Sequence, residues 1–110
     1  MITLGGTGVA PRDVTPEASA SLIGRNLPGI AEAIRRAGSA STPMSAVSRG
    51  LAGVIEADGT SAEPTLLVNL AGSLDAAEVG CAVLNPLIAH IVAQMDGAAK
   101  GNAGQSKVGH

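Results

Sequence analysis

Two kinds of apolar period run along the chain. Thr65-Leu66-Leu67-Val68-Asn69-Leu70 is almost continuously apolar, as a strand buried on both faces requires. Leu27, Ile30, Ala31 and Ile34 recur at i, i+3, i+4 and i+7, which predicts an amphipathic helix. Pro28 suits its first position, and Gly38 the position just past its end. Glu32 precedes Arg36 by one turn, the favourable order for a helix pair. A second stripe, Leu84, Leu87, Ile88, Ile91, Val92 and Met95, predicts a helix that Asn85-Pro86 restarts and Gly97 ends. A separate helix over 75–84, weakened by Gly80, precedes it.

The remaining elements are shorter. Residues 1–4 read as the end of a buried strand, broken by Gly5-Gly6-Thr7-Gly8. Thr15-Pro16-Glu17 starts a helix, with Thr15 as its cap, that fades at Gly24. A loop over 39–43 leads to one helical turn over 44–48. A strand over 51–55, weakened by Gly53, leads to a polar turn around Asp58-Gly59. Residues 98–110 offer little to bury and read as a disordered tail. The order strand, helix, helix, strand, strand, helix gives an α/β class with some parallel sheet. About three strands are too few for a doubly wound sheet, so the chain reads as beginning inside a fold.

Composition narrows the function classes. The length of 110 residues allows one domain. Leu, Ile and Val together exceed the roughly 20% floor below which disorder is the default. There is no Phe, Trp or Tyr. That excludes stacking platforms for single-stranded nucleic acid, aromatic cages, carbohydrate stacking and a membrane aromatic belt. A net charge of −2 leaves no basic stripe for nucleic acid. The charged fraction, 15%, is below the usual value of about 25%. It points to surface covered by a partner. No signal peptide is legible, and no apolar run reaches the length of a membrane span.

Candidate chemistry concentrates in loops. Glycines at a strand's C-terminal end let backbone N–H groups converge on an anion. Gly5, Gly6, Thr7 and Gly8 fit that role, and a tight turn without ligand fits them equally. In Pro11-Arg12-Asp13-Val14-Thr15, Arg12 can clamp a phosphate and Asp13 can hold Mg²⁺ or orient a nucleophile. Pairing of Arg12 with Asp13, or helix capping by Asp13, is the structural alternative. Ser48-Arg49-Gly50 and Asn69-Leu70-Ala71-Gly72-Ser73 are further candidates. If the two glycine-bearing strands are parallel, their loops form a two-sided anion cradle. His90, His110 and Cys81 lack metal-ligand spacing and read as incidental. Arg25, Glu32, Arg35 and Arg36 read as a solvated helix face or a subunit contact.

Taken together, the block from Thr3-Leu4-Gly5-Gly6-Thr7-Gly8 through Pro11-Arg12-Asp13-Val14-Thr15-Pro16-Glu17 resembles the signature of the molybdopterin-binding family. This is the MogA/MoaB-like group, which includes molybdopterin adenylyltransferases and the gephyrin G domain. Pro28-Gly29, Thr42-Pro43-Met44, Ser48-Arg49-Gly50 and Leu66-Leu67-Val68-Asn69-Leu70 extend the resemblance over residues 1 to about 95, within a domain spanning 1–97 that reads as incomplete at its N-terminus. It implies a three-layer α/β/α sandwich with a mostly parallel sheet, here lacking its N-terminal strands. It implies molybdenum cofactor biosynthesis: binding of molybdopterin and transfer of AMP from Mg-ATP to its terminal phosphate. The alternatives are a non-catalytic molybdopterin or anion-binding module and an inactive fragment. Carried over, Gly5, Gly6, Thr7, Gly8, Arg12, Thr15, Ser48, Arg49, Gly72 and Ser73 are the molybdopterin and phosphate contacts. Asp13 is the catalytic acid and Mg²⁺ contact, and no tightly bound metal is implied. The resemblance further implies a cytoplasmic homo-oligomer, a trimer or multiple of trimers, with other cofactor-biosynthesis proteins as partners. Nucleic acid and membrane are not among them. One departure is clear: Ala71-Gly72-Ser73-Leu74 stands where the family carries Pro-Gly-Ser-Pro or Pro-Gly-Asn-Pro.

Overall fold

The computed structural model describes residues 1–56 and 63–97. In chain order these form β1 (Ile2–Leu4), α1 (Thr15–Ala20), β2 (Arg25–Asn26), α2 (Pro28–Gly38), a 3₁₀ turn (Pro43–Val47), β3 (Ala52–Ile55), β4 (Thr65–Leu70) and α3 (Leu74–Met95). The polar turn around Asp58-Gly59 and the tail over 98–110 lie outside the described residues.

The four strands make one sheet in the order β1-β4-β3-β2. β1 and β4 run parallel, with Ile2 opposite Val68 and Leu4 opposite Leu70. β3 is antiparallel to both β4 and β2. The α/β class is as read from the sequence, and the sheet is mixed rather than mostly parallel. β4 is flanked on both edges, which accounts for its apolar run. Val68 and Leu70 point into the main core with Ala52 and Leu84, and Ile30, Ile34 and Ile88 pack around them. The alternate residues Leu67 and Asn69 face α1. So α1 covers one face, α2 and α3 the other, and the sandwich has three layers.

Four local features differ from the sequence reading. Residues 1–4 form an edge strand, with Ile2 and Leu4 47% and 64% exposed, because β4 pairs along one side only. Thr15 does not cap α1: Val14 holds the cap position without a side-chain bond, and Thr15 is already helical. β2 escapes the hydrophobic pattern because it is two polar residues held by backbone pairing to Gly53 and Val54. Gly38 ends α2 from inside the helix, followed by Ser39 in right-handed conformation.

The two helices expected on either side of Asn85-Pro86 are one, α3, with Pro86 in its interior. Proline removes one helical N–H and crowds the preceding turn. The helix continues because Leu84 and Ile88, on either side of Pro86, seat on the same core. Gly80 is required by packing: a Cβ there would run into the Leu70 methyl groups. As one element, α3 is long and apolar enough to cross a membrane by length and composition. Here it packs against α2 and β4. Restoring the missing N–H should stabilise the fold. Pro86→Ala is expected to raise unfolding stability by about 2 kcal/mol, read from the urea midpoint. An unchanged or lower midpoint would show that the proline shapes the helix to fit the core.

Candidate functional site

The site grows from the parallel pair. The Gly5 N–H continues the ladder by donating to the Leu70 carbonyl at 2.8 Å. Gly5 and Gly6 then turn away with φ of +93° and +73°, a region open to glycine and costly for other residues. β4 ends beside them, and a Cβ on Gly72 would stand 3.3 Å from the Gly5 Cα. The two glycine loops therefore lie side by side, as parallel strands require. Just beyond, Ser73 caps α3, its Oγ accepting from the Ala76 N–H at 3.1 Å.

These loops form one end of a cavity of about 490 Å³. Gly5–Gly8, Asp13, Gly72, Ser73 and Asp75 line the loop side. Ala31, Ile34 and Arg35 of α2 contribute a second wall, and Met44, Val47 and Ser48 a third. Thr7 is 4% exposed, and its hydroxyl takes no hydrogen bond among the described residues. A buried hydroxyl without a partner is costly unless a ligand or water satisfies it.

Behind the cavity the loop is braced. Asp13 and Ala10 close a turn: Asp13 Oδ2 accepts from the Ala10 N–H at 3.0 Å, and the Asp13 N–H donates to the Ala10 carbonyl at 2.9 Å. Arg49 reaches across from the turn after the 3₁₀ segment. Its backbone N–H donates to the Thr7 carbonyl at 2.8 Å, and Nε to the Gly8 carbonyl at 2.8 Å. Nη2 donates to the Asp13 carbonyl, and Nη1 pairs with Glu17 of α1 at 2.6 Å. The hydrogen bond from Arg49 holds the Glu17 carboxyl below its ordinary range, and Glu17 holds Arg49 above its own.

This clamp has a pH signature. A carboxyl with a lowered folded pKa contributes stability above its unfolded value of about 4.3, and that contribution is lost as pH falls through the folded value. Amide protection over residues 7–13 is therefore expected to fall as acid protonates Glu17, at a pH below the ordinary glutamate range. Glu17→Gln is expected to remove that step while leaving neutral-pH protection of β4 unchanged. The check is hydrogen exchange, and an identical acid profile in the variant would overturn the assignment.

The sequence candidates divide cleanly. Gly5, Gly6, Thr7, Gly8, Asp13, Ser48, Gly72 and Ser73 line the cavity. Arg12 is exposed on the outer loop and is not part of the lining. Thr15 packs behind the loop, its N–H donating to the Gly6 carbonyl at 3.1 Å. The Arg49 guanidinium is engaged behind the loop as well. Arg35 and Asp75, neither of them a sequence candidate, line the cavity. The signal for Arg35 was present: it follows Ala31 by four residues and precedes Gly38 by three, on the same helical face. Among the described residues no group of three or more His, Cys, Asp or Glu side chains gathers to hold a metal.

Comparison with known proteins fits this geometry. Residues 1–90 match the family model described as a probable molybdopterin binding domain. The chain is 41% identical over 101 residues to a molybdenum cofactor biosynthesis bifunctional protein of Synechococcus elongatus, covering 92% of this chain and 30% of that one. It is 36% identical over 72 residues to a molybdopterin adenylyltransferase of Helicobacter pylori, covering 66% and 37%. Among solved structures, the molybdopterin biosynthesis Mog protein from Mycobacterium ulcerans superposes with a TM-score of 0.79 at 42% identity, covering 87% of this chain and 58% of that one. The chain thus spans less than two thirds of each of these relatives.

Proposed function

The chain belongs to the family of probable molybdopterin binding domains, and from that premise we propose that its cavity binds molybdopterin with the phosphate against the Gly5–Gly8 loop. The setting is molybdenum cofactor biosynthesis. The observation that carries the reading is the contact of two glycine loops, at the ends of parallel strands, in one cavity. Converging backbone N–H groups and the start of α3 suit a phosphate. The Ile34, Met44 and Val47 walls suit a heterocycle held by apolar contact.

The proposed reaction is adenylyl transfer. A phosphate oxygen of molybdopterin attacks the α-phosphorus of ATP, the bond to the β-phosphate breaks, and pyrophosphate leaves. Amides fixed in place stabilise charge developing on the transferred group. Mg²⁺ enters with ATP as substrate, and such an ion takes one or two carboxylates besides phosphates and water. Asp13 and Asp75 line the cavity and are suited to that task. The chain acts in the cytoplasm as a homo-oligomer, a trimer or multiple of trimers, alongside other cofactor-biosynthesis proteins. The exposure of Ile2, Leu4 and Leu74 supports a surface covered by partner chains.

Calorimetric titration with molybdopterin and with Mg-ATP, followed by chromatography for adenylylated product, tests this. Molybdopterin binding with product formation is expected. Molybdopterin binding without ATP affinity would leave a binding module in place of a transferase, and no molybdopterin binding would overturn the reading.

A further inference from the structure

Three ion pairs occur among the described residues, and they engage Arg25, Arg36 and Arg49. Arg12 and Arg35 have no carboxylate partner there. Arg12 is exposed, whereas Arg35 is half-buried and lines the cavity. Its Nη1 donates to the Gly50 carbonyl at 3.1 Å and to the Ser48 carbonyl at 3.4 Å. A guanidinium carries five N–H donors, and no described residue accepts from Nε or Nη2. The two carbonyls that anchor Nη1 flank Arg49, whose own N–H reaches the Thr7 carbonyl. Arg35 therefore joins the Ser48–Gly50 turn that pairs with the glycine loop, and lines the same cavity from α2.

Its position is fixed as well as charged. Ser39 Oγ and Ser45 Oγ both donate to the Arg35 carbonyl, at 3.0 and 2.9 Å. The last turn of α2 is thereby tied to the 3₁₀ turn. A half-buried cation that has no carboxylate partner, is anchored at one nitrogen and faces a cavity is arranged to meet an anion. Resting on the molybdopterin reading above, we propose that Arg35 is a ligand-binding residue of this cavity, where its guanidinium takes a phosphate oxyanion that the glycine-loop amides meet from the other side. Arg49, the arginine that the family pattern points to, braces the loop from behind. Phosphate is offered both by molybdopterin and by ATP, and Arg35 takes one of the two.

The test compares wild type, Arg35→Lys and Arg35→Gln by calorimetry, with molybdopterin and Mg-ATP titrated separately at two salt concentrations. Arg35→Gln is expected to weaken one of the two ligands at least tenfold and to reduce the salt dependence of its binding. Arg35→Lys should keep the salt dependence and only part of the affinity, because the charge is kept while the planar fork is lost. The ligand that weakens identifies the source of the phosphate. Unchanged affinity of Arg35→Gln for both ligands would overturn the proposal. So would a loss of affinity in Arg35→Gln with unchanged salt dependence, since that outcome means the side chain only holds the Ser48–Gly50 turn. Wild type that binds neither ligand refutes the molybdopterin reading instead. Should Arg35→Gln fail to fold, the wild-type Arg35 Nε–H resonance decides: it shifts on addition of inorganic pyrophosphate if the contact is direct and stays put if it is not.

Discussion

Replacing Asn69 by Leu is expected to destabilise the fold by about 3 kcal/mol or more, despite similar size and greater hydrophobicity. Asn69 is 4% exposed in the middle of the sheet. Its Nδ2 donates to Thr3 Oγ1 at 2.8 Å and Ser19 Oγ at 3.0 Å, and its Oδ1 accepts from the Leu51 N–H at 3.0 Å. One amide thus joins β1, α1 and the start of β3 to β4. Leu would strand the part-buried Leu51 N–H, the part-buried Thr3 hydroxyl and the buried Ser19 hydroxyl, and an orphan costs about 1–3 kcal/mol when buried, with hydroxyls at the low end because they rotate. Ser19→Ala should cost only about 1 kcal/mol, since it leaves one amide hydrogen unpaired. The double variant should cost less than the sum, because both changes remove the same bond. Urea unfolding of the four proteins checks this. Strict additivity, or a neutral Asn69→Leu, would refute the network. Asn69 also lines the cavity, so ligand affinity should fall with stability.

How far the sequence carried this picture depends on which residues announced themselves. β4 and α2 were legible because each buries a regular stripe: Val68 and Leu70 on one period, Ile30, Ala31 and Ile34 on the other. The juxtaposed glycine loops were legible too, since only the parallel sense of β1 and β4 was needed to bring Gly5 to Gly72. β2 was not, because its stability comes from backbone pairing and its side chains are exposed. Pro86 misled by local rule, where tertiary packing of Leu84 and Ile88 outweighs the lost helical bond. Around the cavity, sequence spacing identifies polar residues but not the direction each side chain takes. Arg49 and Arg35 are both arginines near a Ser-Gly turn, and only the path of the chain decides which faces the cavity. Asp75 belongs to no motif: it is an acidic residue in the first turn of α3, a place where a carboxylate ordinarily serves the helix.

Gly6→Ala is expected to abolish ligand binding and to cost about 2–4 kcal/mol of stability, combining left-handed strain with overpacking. Gly6 sits at φ +73°, where an L side chain is strained whatever space surrounds it. Space is lacking too. A Cβ at this position would run into Thr15 Oγ1 and lie 3.2 Å from Thr15 Cβ. Thr15 cannot withdraw freely, because its N–H donates to the Gly6 carbonyl and it opens α1. The two penalties separate experimentally. Thr15→Ala removes the hydroxyl from the path of the new Cβ, so the double variant should recover most of the steric share, the tight 3.2 Å approach to the Cβ of residue 15 remaining. A residue of about 1 kcal/mol should persist from the left-handed backbone. Binding separates from stability in the same set. The double variant, refolded, should still bind molybdopterin more weakly than Thr15→Ala alone if the phosphate sits against the Gly5–Gly8 loop as proposed, because the positive φ of Gly5 and Gly6 sets the path of that loop. Calorimetry with molybdopterin beside urea unfolding reads both. Wild-type affinity in Gly6→Ala would remove the glycine loop from the ligand site, and full recovery of stability by Thr15→Ala would show that crowding, with no backbone share, is what demands glycine here.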